Sequence, residues 1–406
     1  MISATHRDGL TSGRLIRLMC LLWLTGVAMR MTILAMPPVI PLVHQELHMT
    51  ETQVGLLIGL PLAMFAVAAV PGSLLIARIG ASPAVIAGMV IAALASGTRG
   101  AAIGVGTLYA ASLAMGFGVA IMQPGLPTLV REWMPQRIAL GTIAYTSGML
   151  LGSMFASALT IPYVLPLVGG SWRLDMIVWA VPVLLIAPVF FIFGPKGAAH
   201  AAAGIKSRAR WWPDFKDPLV WMLGLTFGSN NSPFFATNAF LGDYLADLGR
   251  PDLLGAALGW LNGAQIVAPL ILLVMADRLQ QRSWPFLLFG PILLAALLGL
   301  IFGHSAAVLV GSAGLVGFST AITLTATLAL PPALSAPADL PRTTAGMFTI
   351  SYTSAIIIPT ISGALWDATG RPWVAFVPLC ICAVTLTTLG AAAARYRPAA
   401  EASLIR

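Results

Sequence analysis

Runs of apolar residues, each about 20 long or more, repeat from one end of the chain to the other, separated by short clusters of charge, proline and glycine. Cutting at those clusters gives twelve stretches, near 15–42, 54–76, 83–104, 106–130, 138–164, 173–193, 218–242, 255–276, 285–303, 306–330, 343–365 and 373–394. A stretch of that length crosses a bilayer as an α-helix, which satisfies its own backbone hydrogen bonds where no water can. The runs lack the alternation of period two that marks an outer-membrane barrel. The pattern predicts an all-α membrane protein of twelve transmembrane helices.

One long polar interruption, GPKGAAHAAAGIKSRARWWPDFKD at 194–217, divides the spans six and six. It predicts an N-terminal six-helix bundle over 1–193, a basic linker over 194–217 and a C-terminal six-helix bundle over 218–406. The halves echo each other: GFGVAI (116–121) returns as GFSTAI (317–322), and LIAR (75–78) as MADR (275–278). Two related bundles with a solute site between them near the bilayer midplane is a common plan for secondary transporters.

Composition agrees, with 58% hydrophobic and only 9% charged residues, where a soluble domain has about a quarter charged. The formal charge of +8 is scattered over short loops rather than gathered on one face, which argues against nucleic acid as partner. Membrane topology explains it better. Counted over alternate loops, seventeen Lys and Arg lie on the side of the N-terminus and three, Arg173, Arg250 and Arg371, on the other. The positive-inside rule then puts both termini and the linker in the cytoplasm of a bacterial-type inner membrane. Met1–Leu24 imitates a signal peptide, but no small-residue cleavage site follows, so it reads as the start of the first span. Cys20, Cys380 and Cys382 all fall in apolar stretches and imply no disulfide. A monomer is expected.

Arg30 breaks the first span near its middle. At 1.5 Å per residue it lies about 20 Å from either end, too deep to snorkel. A charge there costs about 2.5–3.5 kcal/mol on insertion scales, so it should face the bundle interior or a wet cavity. All 14 acidic residues fall near one membrane face or the other and none in mid-span. A buried guanidinium without a fixed counter-ion suits a mobile one, because its planar fork of donors matches a carboxylate or small oxyanion. The alternative is a structural arginine capped by helix carbonyls and water near Pro37 and Pro38. With no mid-span carboxylate, a conventional Asp/Glu proton relay is not expected.

Neutral polar residues sit at the same depth. Asn230 and Asn231 in the seventh span occupy the place that Arg30 takes in the first, and Asn231 shares a helix face with Phe234 and Asn238. Asn262 and Gln265 are neighbours in the eighth span, and Gln123 lies among glycines and prolines in the fourth. Each amide is interhelical glue or part of a cavity lining. Tyr145 and Tyr352, in the fifth and eleventh spans, are candidates to close over a solute. Arg99, at the outer end of the third span, either anchors in headgroups or draws anions toward the mouth.

His44 and His48 in HQELH are four apart and could hold a metal with Glu46 or Glu51, but the order differs from HExxH and the segment reads as an outer loop. No metal and no cofactor is therefore expected. No phosphate-cradling GxxxxGK[ST] occurs, and no nucleophile and base share one membrane depth. The chain does not read as an enzyme.

These segments resemble the major facilitator superfamily, and within it the cyanate and nitroimidazole transporter branch. VAMRMTILAMPPVIPL (27–42) is similar to that branch's first-span segment and places Arg30 on its arginine, while SGTRG (96–100) places Arg99 on a second. GLLIGLPLAMF (55–65), GFGVAIMQPGLPTLVREWMP (116–135) and LNGAQ (261–265) resemble the second, fourth and eighth spans. The superfamily's loop motif pairs Asp with Arg. Here Ala77 precedes Arg78, whereas Asp277–Arg278 keeps the pair in the second half. Ala28 and Met31 replace the branch's Asn and Pro around Arg30. The resemblance implies rocker-switch transport of a small anion or a small polar heterocycle. Taken with the reading of the residues themselves, Arg30, Arg99, Gln123, Tyr145, Asn230, Asn231, Asn262, Gln265 and Tyr352 are the candidate binding residues, and Arg78, Asp277 and Arg278 are the loop-motif residues at the gate. A carrier or exporter of neutral heteroaromatics is the alternative within transport, and a non-transporting receptor or scaffold the alternative outside it.

Overall fold

The computed structural model of the protein describes residues 12–67, 69–195, 213–267, 283–335 and 339–396, and these form helices and turns with no strand among them. In the first half, α1 (Ser12–Leu34) is interrupted at Pro37 and Pro38 by a tight turn over Pro37–Val39 and resumes as α2 (Ile40–Leu47). A proline ring cannot donate into the helical ladder, hence the break. His48, in the left-handed conformation at φ 49°, turns the chain into α3 (Glu51–Val67). There follow α4 (Ala69–Ile79), α5 (Ala81–Arg99), α6 (Val105–Trp133), α7 (Ile138–Leu159), a short α8 (Leu165–Leu167) and α9 (Trp172–Phe193). The second half comprises α10 (Pro218–Asp247), α11 (Leu254–Gly263), α12 (Trp284–Phe302), α13 (Ala306–Leu328), α14 (Leu330–Leu334), α15 (Leu340–Thr369) and α16 (Val377–Arg395).

Nine described segments are long and apolar enough to cross a membrane. The other three expected spans correspond to α3 with α4, to α10 and to α11. α10 is long enough but carries Asn230, Asn231, Ser232, Thr237 and Asn238 in its middle. α11 runs into residues outside the description, as does most of the 194–217 linker. Two boundaries differ from expectation. The first span reaches Leu47, so HQELH is helical to Leu47 rather than a loop, and the second begins at Glu51.

Lipid tails are as apolar as the helices, so association relies on close packing and interhelical hydrogen bonds. Glycine supplies the closeness. Gly148 and Gly152, four apart on α7, face the carbonyls of Trp23 and Val27 on α1, and Gly26 faces the carbonyl of Tyr145 in return. A Cβ at any of them would overlap backbone. The same device joins the two halves: Gly55 on α3 lies against the Pro359 carbonyl of α15, and Gly363 of α15 against that of Glu51. On α9, Leu174, Ile177, Val181, Leu185 and Ile192 point outward, an apolar belt that fits lipid and not water. The far face of the bundle is the one that carries the turn at His48 between α2 and α3.

Candidate functional site

Arg30 lies four residues before the end of α1, flanked by the buried Ala28, Met29, Met31 and Thr32. It sits deep in the protein, yet the residue keeps part of its surface accessible. Among the described residues no carboxylate lies within ion-pair range of it. Its described partner is the ring of Phe235 on α10, 5.7 Å from guanidinium to centroid. A cation–π contact of this kind returns about 0.5–2 kcal/mol, less than the cost of burying the charge. The balance is left for a solute or water to supply.

Tyr352, on α15, lies near Arg30. Its hydroxyl accepts a 2.9 Å hydrogen bond from Gln123 Nε2 of α6, which ties the two bundles together at this depth. Aromatic rings enclose the phenol: Phe65 of α3 edge-on at 5.1 Å, Phe348 stacked at 5.8 Å, and Phe227 of α10 at 6.5 Å. Phe234 packs edge-on to Phe235 at 5.1 Å. The arrangement is one cation and a tyrosine–glutamine pair within an aromatic wall contributed by both halves. It can hold a small flat anion, with the guanidinium fork on its charge and rings on its faces.

The structure distributes the other candidates differently. Asn231 Nδ2 donates to Ser351 Oγ at 2.9 Å, joining α10 to α15. Thr323 of α13 donates to Asn230 Oδ1. Asn262 Nδ2 donates to Asn238 Oδ1 at 2.9 Å and to the Leu258 carbonyl at 3.0 Å. These amides are engaged as bonds between helices of the second half. Gln265 is buried with no hydrogen-bond partner for Nε2, which leaves that donor available. Tyr145 is half-buried on α7.

Arg99 stands apart from the Arg30 site. It is 1% exposed and donates to the Thr32 carbonyl and, at 2.7 Å, to Ser96 Oγ, with the buried Asp175 of α9 close enough to interact. This places it inside the first bundle, where it ties α1, α5 and α9 together, and not against headgroups. Arg78 is exposed at the end of α4; Asp277 and Arg278 lie outside the described residues. Sequence reasoning missed Phe235, Phe65, Phe227 and Phe348. In a chain with 17 phenylalanines nothing in the spacing singles these out, because what selects them is the packing of α3 and α10 against α15 and the approach of Arg30 to α10.

Residues 18–259 match the Major Facilitator Superfamily. The chain is 24% identical over 384 residues to the cyanate transport protein CynX of Escherichia coli (strain K12), covering 93% of this chain and 98% of that one. It is 22% identical over 380 residues to the 2-nitroimidazole transporter of the same organism, covering 91% and 93%. Among solved structures, a bacterial homologue of the human lysosomal transporter Spinster, inward-facing and unoccupied, superposes with a TM-score of 0.72 at 14% identity, covering 95% of this chain and 98% of that one. The last match extends the fold across the second half, beyond the stretch that matches the family.

Proposed function

The chain belongs to the Major Facilitator Superfamily, and on that premise we propose that it moves a small anion across the membrane by alternating access, with Arg30 between the bundles as its electrostatic anchor. The observation that carries the reading is a deeply placed guanidinium that meets an aromatic ring and, among the described residues, no carboxylate within ion-pair range. The solute class is a cyanate-like ion, a small carboxylate or another small oxyanion. The two bundles, 1–193 and 218–406, rock about the site, and the 194–217 linker joins them on the cytoplasmic side of a bacterial inner membrane, as the loop charges favour. The transporting unit is one chain. The test is uptake into proteoliposomes across a panel of small anions, cyanate included, at varied pH. Affinity should track the ionised fraction of the solute, and no saturable uptake of any anion would overturn the reading.

A second reading is favoured by the ring of Phe65, Phe227, Phe348 and Tyr352: a neutral heteroaromatic solute, stacked there, with Arg30 polarising an acceptor atom. The same panel separates the two, since binding of a neutral solute does not vary with pH across the range that titrates the anions.

Tyr352→Phe keeps the ring contacts and removes the hydroxyl that accepts from Gln123. One hydrogen bond of net worth about 0.5–1.5 kcal/mol is lost. Uptake measured against concentration should show KM raised by about 2- to 10-fold with little change in maximal rate.

A further inference from the structure

At the far face, the end of α2 and the start of α3 meet α10 of the other bundle. His44 Nδ1 is 3.0 Å from Asp243 Oδ2 and 3.7 Å from Glu51 Oε1. One ligand atom from each of the three side chains lies within 4.8 Å of the others. Glu51 is 6% exposed, and among the described residues its Oε2 has no hydrogen-bond partner, so a carboxylate taken out of water is left with an unused acceptor while its Oε1 faces His44. Nearby cations are engaged elsewhere: Arg173 pairs with Glu46 and Arg250 with Asp252. Asp367 is also close but spends both oxygens on the first turn of α3. Asp247 adds a further negative charge within electrostatic reach of Glu51. One imidazole thus faces an excess of carboxylates.

We propose that His44, Glu51 and Asp243 form a binding site for a divalent transition-metal ion that bridges the two bundles and holds the far face closed. An imidazole nitrogen with two carboxylate oxygens and a water is a ligand set for zinc, with bonds of about 2.0–2.2 Å. In a tetrahedral site such ligands stand about 3.5 Å apart, and the observed 3.0 and 3.7 Å separations bracket that value. A nitrogen ligand and a count of three disfavour calcium and magnesium, which take six or more oxygens. The ligands separate when the bundles part, so the ion binds the closed far face and opposes its opening. The site does not depend on which solute is carried.

The sequence hides this arrangement because Asp243 lies 199 residues from His44. The two histidines of HQELH do not act together, since the chain turns at His48.

The test is calorimetric titration of zinc chloride into the purified full-length protein in detergent. Binding of about one ion per chain is expected, weakened at least tenfold in His44→Gln and in Asp243→Asn and unchanged in Asp252→Asn. Absence of saturable binding to the unaltered protein overturns the site whether or not a variant folds, and equal affinity in all variants means adventitious zinc and overturns it too. Spin labels at Leu167 and Leu248, one per bundle on the far face, read the bridge separately. Zinc should narrow their distance distribution toward the shorter separations, and an unchanged distribution with zinc bound overturns the lock.

Discussion

Arg30→Ala is expected to lower uptake by at least about thirtyfold while the folded protein accumulates normally and melts no lower than the unaltered chain. The two halves of that expectation share one cause. A desolvated charge pair between guanidinium and anion is worth about 2–5 kcal/mol when one partner is truncated, and each 1.4 kcal/mol is a factor of ten. The solute loses that interaction. The protein itself loses little, since Arg30 makes no described ion pair and gives up only the Phe235 contact, while the cost of holding a charge at that depth disappears. A structural arginine would behave in the opposite way, with transport falling only because the protein misfolds. Arg30→Lys should recover part of the activity, because the charge remains and the two-pronged hydrogen bonding does not. Proteoliposome uptake and thermal melting on the same preparations decide it, and full transport by the alanine variant would remove Arg30 from the mechanism.

Much of the fold was legible because the membrane imposes it. Apolar runs long enough to span marked where the long helices fall. What was not legible traces to contacts between distant segments. The first span was expected to end near residue 42, yet backbone groups at that depth must stay bonded, so after the turn at Pro37 and Pro38 the chain re-forms a helix that runs to Leu47. Arg30 stood out because a charge in an apolar run is costly. The asparagines stood out for the same reason, but the cost says only that a partner exists, and for Asn230, Asn231 and Asn262 the partner is another side chain of this protein. Arg99 illustrates the point further: its burial against Thr32 and Ser96 depends on α5 packing along α1, which spacing does not encode. The aromatic wall had no signal at all, since phenylalanine in a membrane span is ordinary.

Asp367→Ala is expected to open the far face. Asp367 ends α15 in the second bundle, and its carboxylate accepts from the backbone N–H of Glu51 at 2.9 Å, from that of Thr52 at 2.8 Å and from the Thr52 hydroxyl. These are the free donors of the first turn of α3, so one bundle caps a helix of the other. The positive end of the α3 dipole adds to the attraction. A capping side chain is worth about 0.5–2 kcal/mol, and hydrogen bonds to a charged group about 1.5–3 kcal/mol. The cap exists only while the far face is closed, so its removal shifts the equilibrium between closed and open by about 10- to 100-fold rather than unfolding the protein. Asp367→Asn, which keeps one oxygen acceptor, should fall in between. The shift is read at Ile356, whose side chain packs on Gly59 in the α3–α15 seam. With the three native cysteines replaced by alanine and Ile356→Cys introduced, a membrane-impermeant thiol reagent should label the Asp367→Ala protein at least tenfold faster than the otherwise identical parent. Equal labelling with unchanged melting would mean that the cap opens and closes without bearing on the bundles, and that the glycine-lined seam at Gly55 and Gly363 holds the far face by packing alone.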